Sequence, residues 1–221
     1  MTGALLGHLL PATVAAVEAF ADTDGARPHP DEEPLIARAV DKRRREFITA
    51  RACARTALRR WVAEPEPILA EARGAPIWPE GYVGSLTHCA GYRAAAVGRA
   101  TEFAAIGIDA EPHEALPSEV AGAVMSPAEQ AAIDRRNADH PGPYWDRMLF
   151  SAKESTYKAW FPLTGRWLDF LAAEVTFADG TFTSRLLVPG PVVGGVAVSA
   201  FEGRWRVDRG LVVTAIVVAA G

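Results

Sequence analysis

Lysine is nearly missing from this chain. Of 23 basic side chains in 221 residues, only Lys42, Lys153 and Lys158 are lysines. Ammonium and guanidinium groups are not interchangeable, so two lysines placed close together in an arginine-rich chain point to chosen chemistry. Cysteine is equally scarce. Cys53 and Cys89 stand in unlike contexts, too few for a disulfide framework, and reduced thiols of a cytoplasmic protein are expected. There is no positive surplus either: the net charge of -4 argues against a general nucleic-acid binder. Long apolar runs are also lacking. Leu5, Leu6, Leu9 and Leu10 are interrupted by His8 and preceded by no base, so they fail as a signal peptide, and residues 211–218 are too few to span a bilayer. Hydrophobic residues make up 49% of the chain, which supplies a core and excludes disorder. A soluble cytoplasmic protein without membrane or nucleic-acid partners is expected.

What is present reads as an α+β protein. Residues 13–20 suggest a short helix, 22–33 a loop, and 34–62 a long helix with Phe47, Ala50, Ala54, Leu58 and Trp61 on one apolar stripe. An irregular stretch then leads into Gly84–His88, followed by strands over 92–97 and 103–109. Ser126-Pro127-Ala128-Glu129 is a helix start with a cap, a proline and a capping-box glutamate. A further helix over 144–160 is expected to stop at Pro162. Strands follow over 173–177 and 181–187, joined by the hairpin dipeptide Asp179-Gly180, and then over 196–201, 204–207 and 211–218. Helices precede strands twice, which predicts two pseudo-symmetric α+β halves, 1–105 and 106–221.

The charged residues fall into patterns. Asp109 and Glu111 alternate at the end of an apolar strand, so both carboxylates project to one side. They are either solvated after the strand has ended or gathered around a hard cation such as magnesium. On the helix over 144–160, Ser151, Glu154 and Lys158 share a face. Glu154 and Lys158 also form an ordinary i,i+4 pair worth about 0.3–0.5 kcal/mol. His88 beside Cys89 lacks an orienting third group for nucleophilic catalysis. Ser85, Thr87 and His88 suit a small-residue loop around phosphate. Arg44, Arg51, Arg55 and Arg59 line one side of the long helix, either as a solvated face or as an anion site. Carboxylates for a metal with lysines for phosphates point to phosphoryl-type transfer.

Four stretches, in this order, resemble the larger 4′-phosphopantetheinyl transferases, of the surfactin-synthetase-activating and enterobactin type, and their actinobacterial branch in particular. They are the run from Arg44 to Arg55, Trp78-Pro79-Glu80-Gly81-Tyr82-Val83-Gly84-Ser85-Leu86-Thr87-His88-Cys89, Gly107-Ile108-Asp109-Ala110-Glu111, and the run from Phe150 to Trp160. Together they cover about residues 40–170. The resemblance implies two α+β halves with coenzyme A in the cleft between them. It also implies magnesium on Asp109, Glu111 and Glu154, and phosphate contacts from Lys153, Lys158, His88, Ser85 and Thr87. Arg51, with Arg43 or Arg44, would take the adenosine 3′-phosphate. Some relatives carry a lysine where this chain has Ala70, with Arg73 the nearest base, so one adenosine-phosphate contact lacks a direct counterpart.

On this reading a serine of an apo acyl or peptidyl carrier protein attacks the phosphorus bearing the pantetheine arm, and 3′,5′-ADP leaves. Asp109 and its metal balance charge. Glu154, or a water held by it or by Glu129, takes the serine proton, and Lys158 stabilises the departing phosphate. The rival readings are a magnesium-dependent hydrolase of a coenzyme A-like diphosphate and a non-catalytic coenzyme A-binding module. A chain with two halves needs no partner subunit to complete its cleft, so a monomer is expected.

Overall fold

The computed structural model describes residues 5–23, 25–71 and 74–221. It is α+β. Strands β1 (Ala15–Ala19), β2 (Tyr82–Cys89) and β3 (Tyr92–Arg99) form an antiparallel sheet in the order β1-β3-β2, with helix α1 (Asp41–Leu58) packed on it. A second antiparallel sheet runs β4-β10-β9-β6-β5, from β4 (Phe103–Pro112), β5 (Ala173–Ala178), β6 (Thr181–Leu186), β9 (Ala200–Asp208) and β10 (Leu211–Ala219). Helices α2 (Ser118–Val124), α3 (Pro127–Asp139) and α4 (Trp145–Thr164) lie between β4 and β5, and a small hairpin of β7 (Val192–Val193) and β8 (Val196–Ala197) precedes β9. The change of sheet falls between Arg99 and Phe103.

Burial explains the layers. Leu149, Ala152, Ala159 and Trp160 of α4 are buried in one core with Val212 and Ile216 of β10 and Phe182 of β6. Ala54, Ala57 and Leu58 of α1 pack with Ala95 and Val97 of β3. Gly107 lets α4 lie directly on β4, because a Cβ there would collide with the Ser155 carbonyl oxygen and the Ala159 nitrogen. The two sheets are stitched where β2 meets β4. Ser85 Oγ accepts from the Ile108 N–H at 3.1 Å, and Thr87 Oγ1 accepts from the Ala110 N–H at 3.0 Å.

Local signals of capping and turning hold. Ser126 and Glu129 form both bonds of the capping box at the start of α3. Asp179-Gly180 closes the hairpin between β5 and β6, with Gly180 at φ 63°. Four expectations change. Residues 13–20 are not helical: β1 pairs along β3, and Glu18 Oε1 accepts from the Leu5 and Leu6 N–H groups and Tyr92 O–H. So short an apolar segment has no helical stability of its own, and strand pairing decides. The helix over 34–62 divides, since a 3-10 helix spans Pro30–Ile36 and Val40 is extended ahead of Asp41. Gly84–His88 is not a loop but the middle of β2, and that strand pairs along its length with β3. Pro162 does not stop α4, which runs on to Thr164 and ends at Gly165 with φ 63°; one missing N–H in the last turn costs little when a left-handed glycine follows.

Candidate active site

A cleft of about 790 Å³ opens between the two sheets, with walls from α1, β2, β4 and α4. It gathers Arg43, Arg51, Ser85, Thr87, His88, Asp109, Glu111, Glu154 and Lys158. The strand alternation that aligns Asp109 with Glu111 and the helical spacing that aligns Glu154 with Lys158 bring the four groups to facing walls.

Asp109 is the centre. It is only 4% exposed, its Oδ1 accepts from Lys158 Nζ at 2.7 Å, and the Thr87 hydroxyl donates to the same oxygen at 3.4 Å. Its other oxygen, Oδ2, is buried with no hydrogen-bond partner among the described residues. Such an orphan is unfavourable unless a donor or cation joins it. Glu111 Oε2 accepts from Arg147 Nη1 at 3.0 Å. Burial, then the neighbouring Asp109, push the Glu111 carboxyl up to about 7, against the opposing Arg147. Burial also raises Glu154, with Lys158 opposing and Asp109 adding to the rise. For Lys158 burial alone would lower the ammonium, but Asp109 and Glu154 outweigh it and hold the group above its usual range.

Among the described residues no three His, Cys, Asp or Glu side chains are gathered closely enough to hold a metal ion as they stand. Lys158 and Arg147 occupy one oxygen each of Asp109 and Glu111. One feature still suits a hard cation: the buried Asp109 Oδ2 is an unpartnered carboxylate oxygen, the ligand type that magnesium takes.

The basic wall differs from a continuous arginine stripe. Arg43 lies in the cleft and its Nη1 contacts His88 Nε2. Lost hydration, then the Arg43 charge, hold the His88 imidazole below its ordinary range. Arg51 is buried, donates from Nε to the Ile68 carbonyl at 2.8 Å and stacks 4.5 Å from the Phe47 ring centroid. Burial lowers its guanidinium to about 10, against the opposing Glu32, with Arg43 and Arg55 adding to the fall. Arg44 turns away from the cleft and donates to the Ile36 carbonyl at 2.7 Å. Arg55 pairs with the buried Glu32 instead. Ala70 is on the cleft wall, whereas Arg73 lies outside the described residues.

Lys153 is not a phosphate ligand here. It is 3% exposed, and its ammonium donates to the Val124 carbonyl, Glu129 Oε2 and the Phe170 carbonyl, each at 2.8 Å. An ammonium has three protons and all three are used. Burial lowers its basicity, and Glu129 opposes that. Glu129 is likewise withdrawn from any role as a base: its oxygens accept from the Ser126 and Val175 N–H groups as well as from Lys153. Two features went unseen in the sequence. Arg147 precedes Ser151, Glu154 and Lys158 by 4, 7 and 11 residues, a spacing that put it on their face. A smaller cavity of about 200 Å³ adjoins the cleft at Glu154 and Tyr157, walled by Trp167, Leu168 and Phe170. No helix among the described residues is long and apolar enough to cross a membrane.

Known proteins resemble this chain along most of its length. The family model for the 4′-phosphopantetheinyl transferase N-terminal domain matches residues 31–98, and that for the 4′-phosphopantetheinyl transferase superfamily matches residues 105–205. The chain is 52% identical to the 4′-phosphopantetheinyl transferase PptT of Mycobacterium tuberculosis, over 97% of this chain and 98% of that one. It is 52% identical to the 4′-phosphopantetheinyl transferase Svp of Streptomyces mobaraensis, over 98% and 90% respectively. It is also 33% identical to enterobactin synthase component D of Salmonella austin, over 73% and 65%.

Proposed function

This chain belongs to the 4′-phosphopantetheinyl transferase superfamily, and from that premise we propose that its cleft takes coenzyme A and passes the phosphopantetheine arm to a serine hydroxyl of an apo acyl or peptidyl carrier protein, releasing 3′,5′-ADP. The observation that carries the reading is the half-satisfied Asp109 carboxylate, bonded to Lys158 through one oxygen and unpartnered at the other. Asp109, Glu111 and Glu154 would hold magnesium, which when bound supplies positive charge to the diphosphate.

The chain's own groups have separate tasks. Lys158 neutralises charge on the leaving phosphate, and its bond to Asp109 keeps the ammonium directed across the cleft. Glu154 is the carboxylate suited to accept the serine proton, since the withdrawn Glu129 has no free oxygen. Arg43 and Arg51 bind the adenosine 3′-phosphate, and His88 meets an adjoining phosphate oxygen. Ser85 and Thr87 act by holding β2 against β4 while their hydroxyls border the cleft. One chain supplies every wall, so a monomer is the expected active form.

Incubation with coenzyme A and several apo carriers, with magnesium or with EDTA, tests this reading by mass spectrometry. The expected result is one phosphopantetheine added to a carrier serine and 3′,5′-ADP released, only with magnesium. Release of free phosphopantetheine without any carrier would make it a hydrolase, and binding without turnover a coenzyme A-binding module.

A further inference from the structure

The ion pair of Lys153 and Glu129 lies outside the main cleft, with Lys153 on the wall of the smaller cavity beside it, and it ties α4 to four other elements. Lys153 ties α4 to the C-terminal end of α2 through the Val124 carbonyl, to the 3-10 turn Phe170–Ala172 through the Phe170 carbonyl, and to the first turn of α3 through Glu129. Glu129 Oε1 continues to the Val175 N–H of β5 at 2.9 Å. All acceptors of the ammonium lie at 2.8 Å, and no bonding capacity is left for a ligand.

We propose that Lys153 is a positioning residue for phosphopantetheine transfer: with Glu129 it fixes the rotation and axial register of α4, and so the place of Glu154 and Lys158 opposite Asp109. The other flank of α4 is held by Gly107 and by the Ser151–Thr214 hydroxyl pair at 3.0 Å. Apolar packing on β4, β10 and β6 holds that side of the helix, but packing of this kind sets rotation less sharply than directed bonds do. Lys153 and Glu154 are neighbours in sequence, so their side chains leave the helix about 100° apart. A bond network on the Lys153 side therefore blocks the roll that would swing Glu154 out of the cleft. Apolar packing at the same place could give as much stability, but it is non-directional. Three hydrogen bonds in three directions define one register. The inference rests on the transfer reading of the cleft.

The test compares Lys153→Met with the unsubstituted full chain at a temperature where thermal melts show both folded. Coenzyme A affinity is measured in EDTA, manganous-ion affinity in the presence of coenzyme A by EPR, and kcat and KM with an apo carrier. The expected pattern is a kcat lowered by roughly thirtyfold or more, as displacement of reacting groups by about an ångström can cause. The KM for coenzyme A and its affinity in EDTA should stay within about threefold, and manganous-ion affinity should fall severalfold. Glu129→Gln, which keeps volume and one acceptor, carries the same comparison should Lys153→Met not fold. A folded variant with unchanged kcat and ion affinity overturns the proposal. So does a variant that keeps kcat but loses coenzyme A affinity, which would put Lys153 on the phosphates. An unsubstituted chain that modifies no carrier sinks the transfer reading and this role with it; normal transfer by both proteins sinks only this role.

Discussion

Lys158 Nζ and Asp109 Oδ1 lie 2.7 Å apart, joining helix α4 to strand β4 across the floor of the cleft. The pair draws only one of the two aspartate oxygens into a bond, while Oδ2 stays buried and unpartnered. Asp109→Asn keeps the shape, removes the charge and gives that position a donor. Transfer should fall by about a hundredfold or more, equivalent to roughly 2.7 kcal/mol of barrier. Thermal stability should change little, because relief of the repulsion with Glu111 offsets the weakened bond to Lys158. A melting temperature lowered together with activity would show Asp109 to be a structural anchor.

Lys158→Ala separates binding from chemistry. With its ammonium bonded to Asp109 at the cleft, the group should matter most as charge builds on the leaving phosphate. Steady-state kinetics should give a large drop in kcat with little change in coenzyme A affinity. A rise in KM alone would assign Lys158 to ground-state binding.

Arg43 contacts His88 at the cleft wall and is the nearer candidate for the 3′-phosphate now that Arg44 points elsewhere. Arg43→Gln should weaken coenzyme A by about tenfold, the scale of a charge-assisted hydrogen bond, and dephospho-coenzyme A much less. Calorimetric titration of both ligands decides, and equal losses remove the assignment.

Thr87→Val replaces the hydroxyl that accepts from Ala110 with a methyl group of similar size. A buried N–H loses its partner, which costs about 1–3 kcal/mol. The melting temperature should drop by several degrees, since each kcal/mol is worth about 2–4 °C in a chain of this length. Thr87→Ser should restore most of it. An unchanged melt would mean that the seam between β2 and β4 does not depend on this bond.

Burial, then Glu111 and Asp109, push the Cys89 thiol up to about 12. At pH 8 the thiolate is then scarce, and alkylation by iodoacetamide should be at least about a hundredfold slower than for an unfolded control. The proton is held more tightly in the folded than in the unfolded chain. This contribution to stability is complete below the ordinary thiol pKa and is lost as pH rises toward 12. Fast labelling at pH 8 would contradict it.

Much of the site was readable because its rules are local. Alternation along β4 aligned Asp109 with Glu111, helical spacing aligned Glu154 with Lys158, and the Ser126–Glu129 box announced α3. The misreadings came where distant pairing decides. Residues 15–19 become a strand only because β3 lies beside them, and 84–88 become one for the same reason. Lys153 is different, for its position was legible. It stands four after Leu149 and seven before Trp160, on the buried side of α4. The scarcity of lysine drew it to the phosphates when helical geometry had already turned it inward.

Because Gly107 leaves no gap between α4 and β4, the spacing of the two surfaces that carry the acids and Lys158 is set by backbone touching backbone. Such a gauge cannot widen for a bulkier substrate or tighten around a smaller one. Any accommodation of ligands of different size must therefore come from the opposite bank, where α1, Ala70 and Glu71 line the opening.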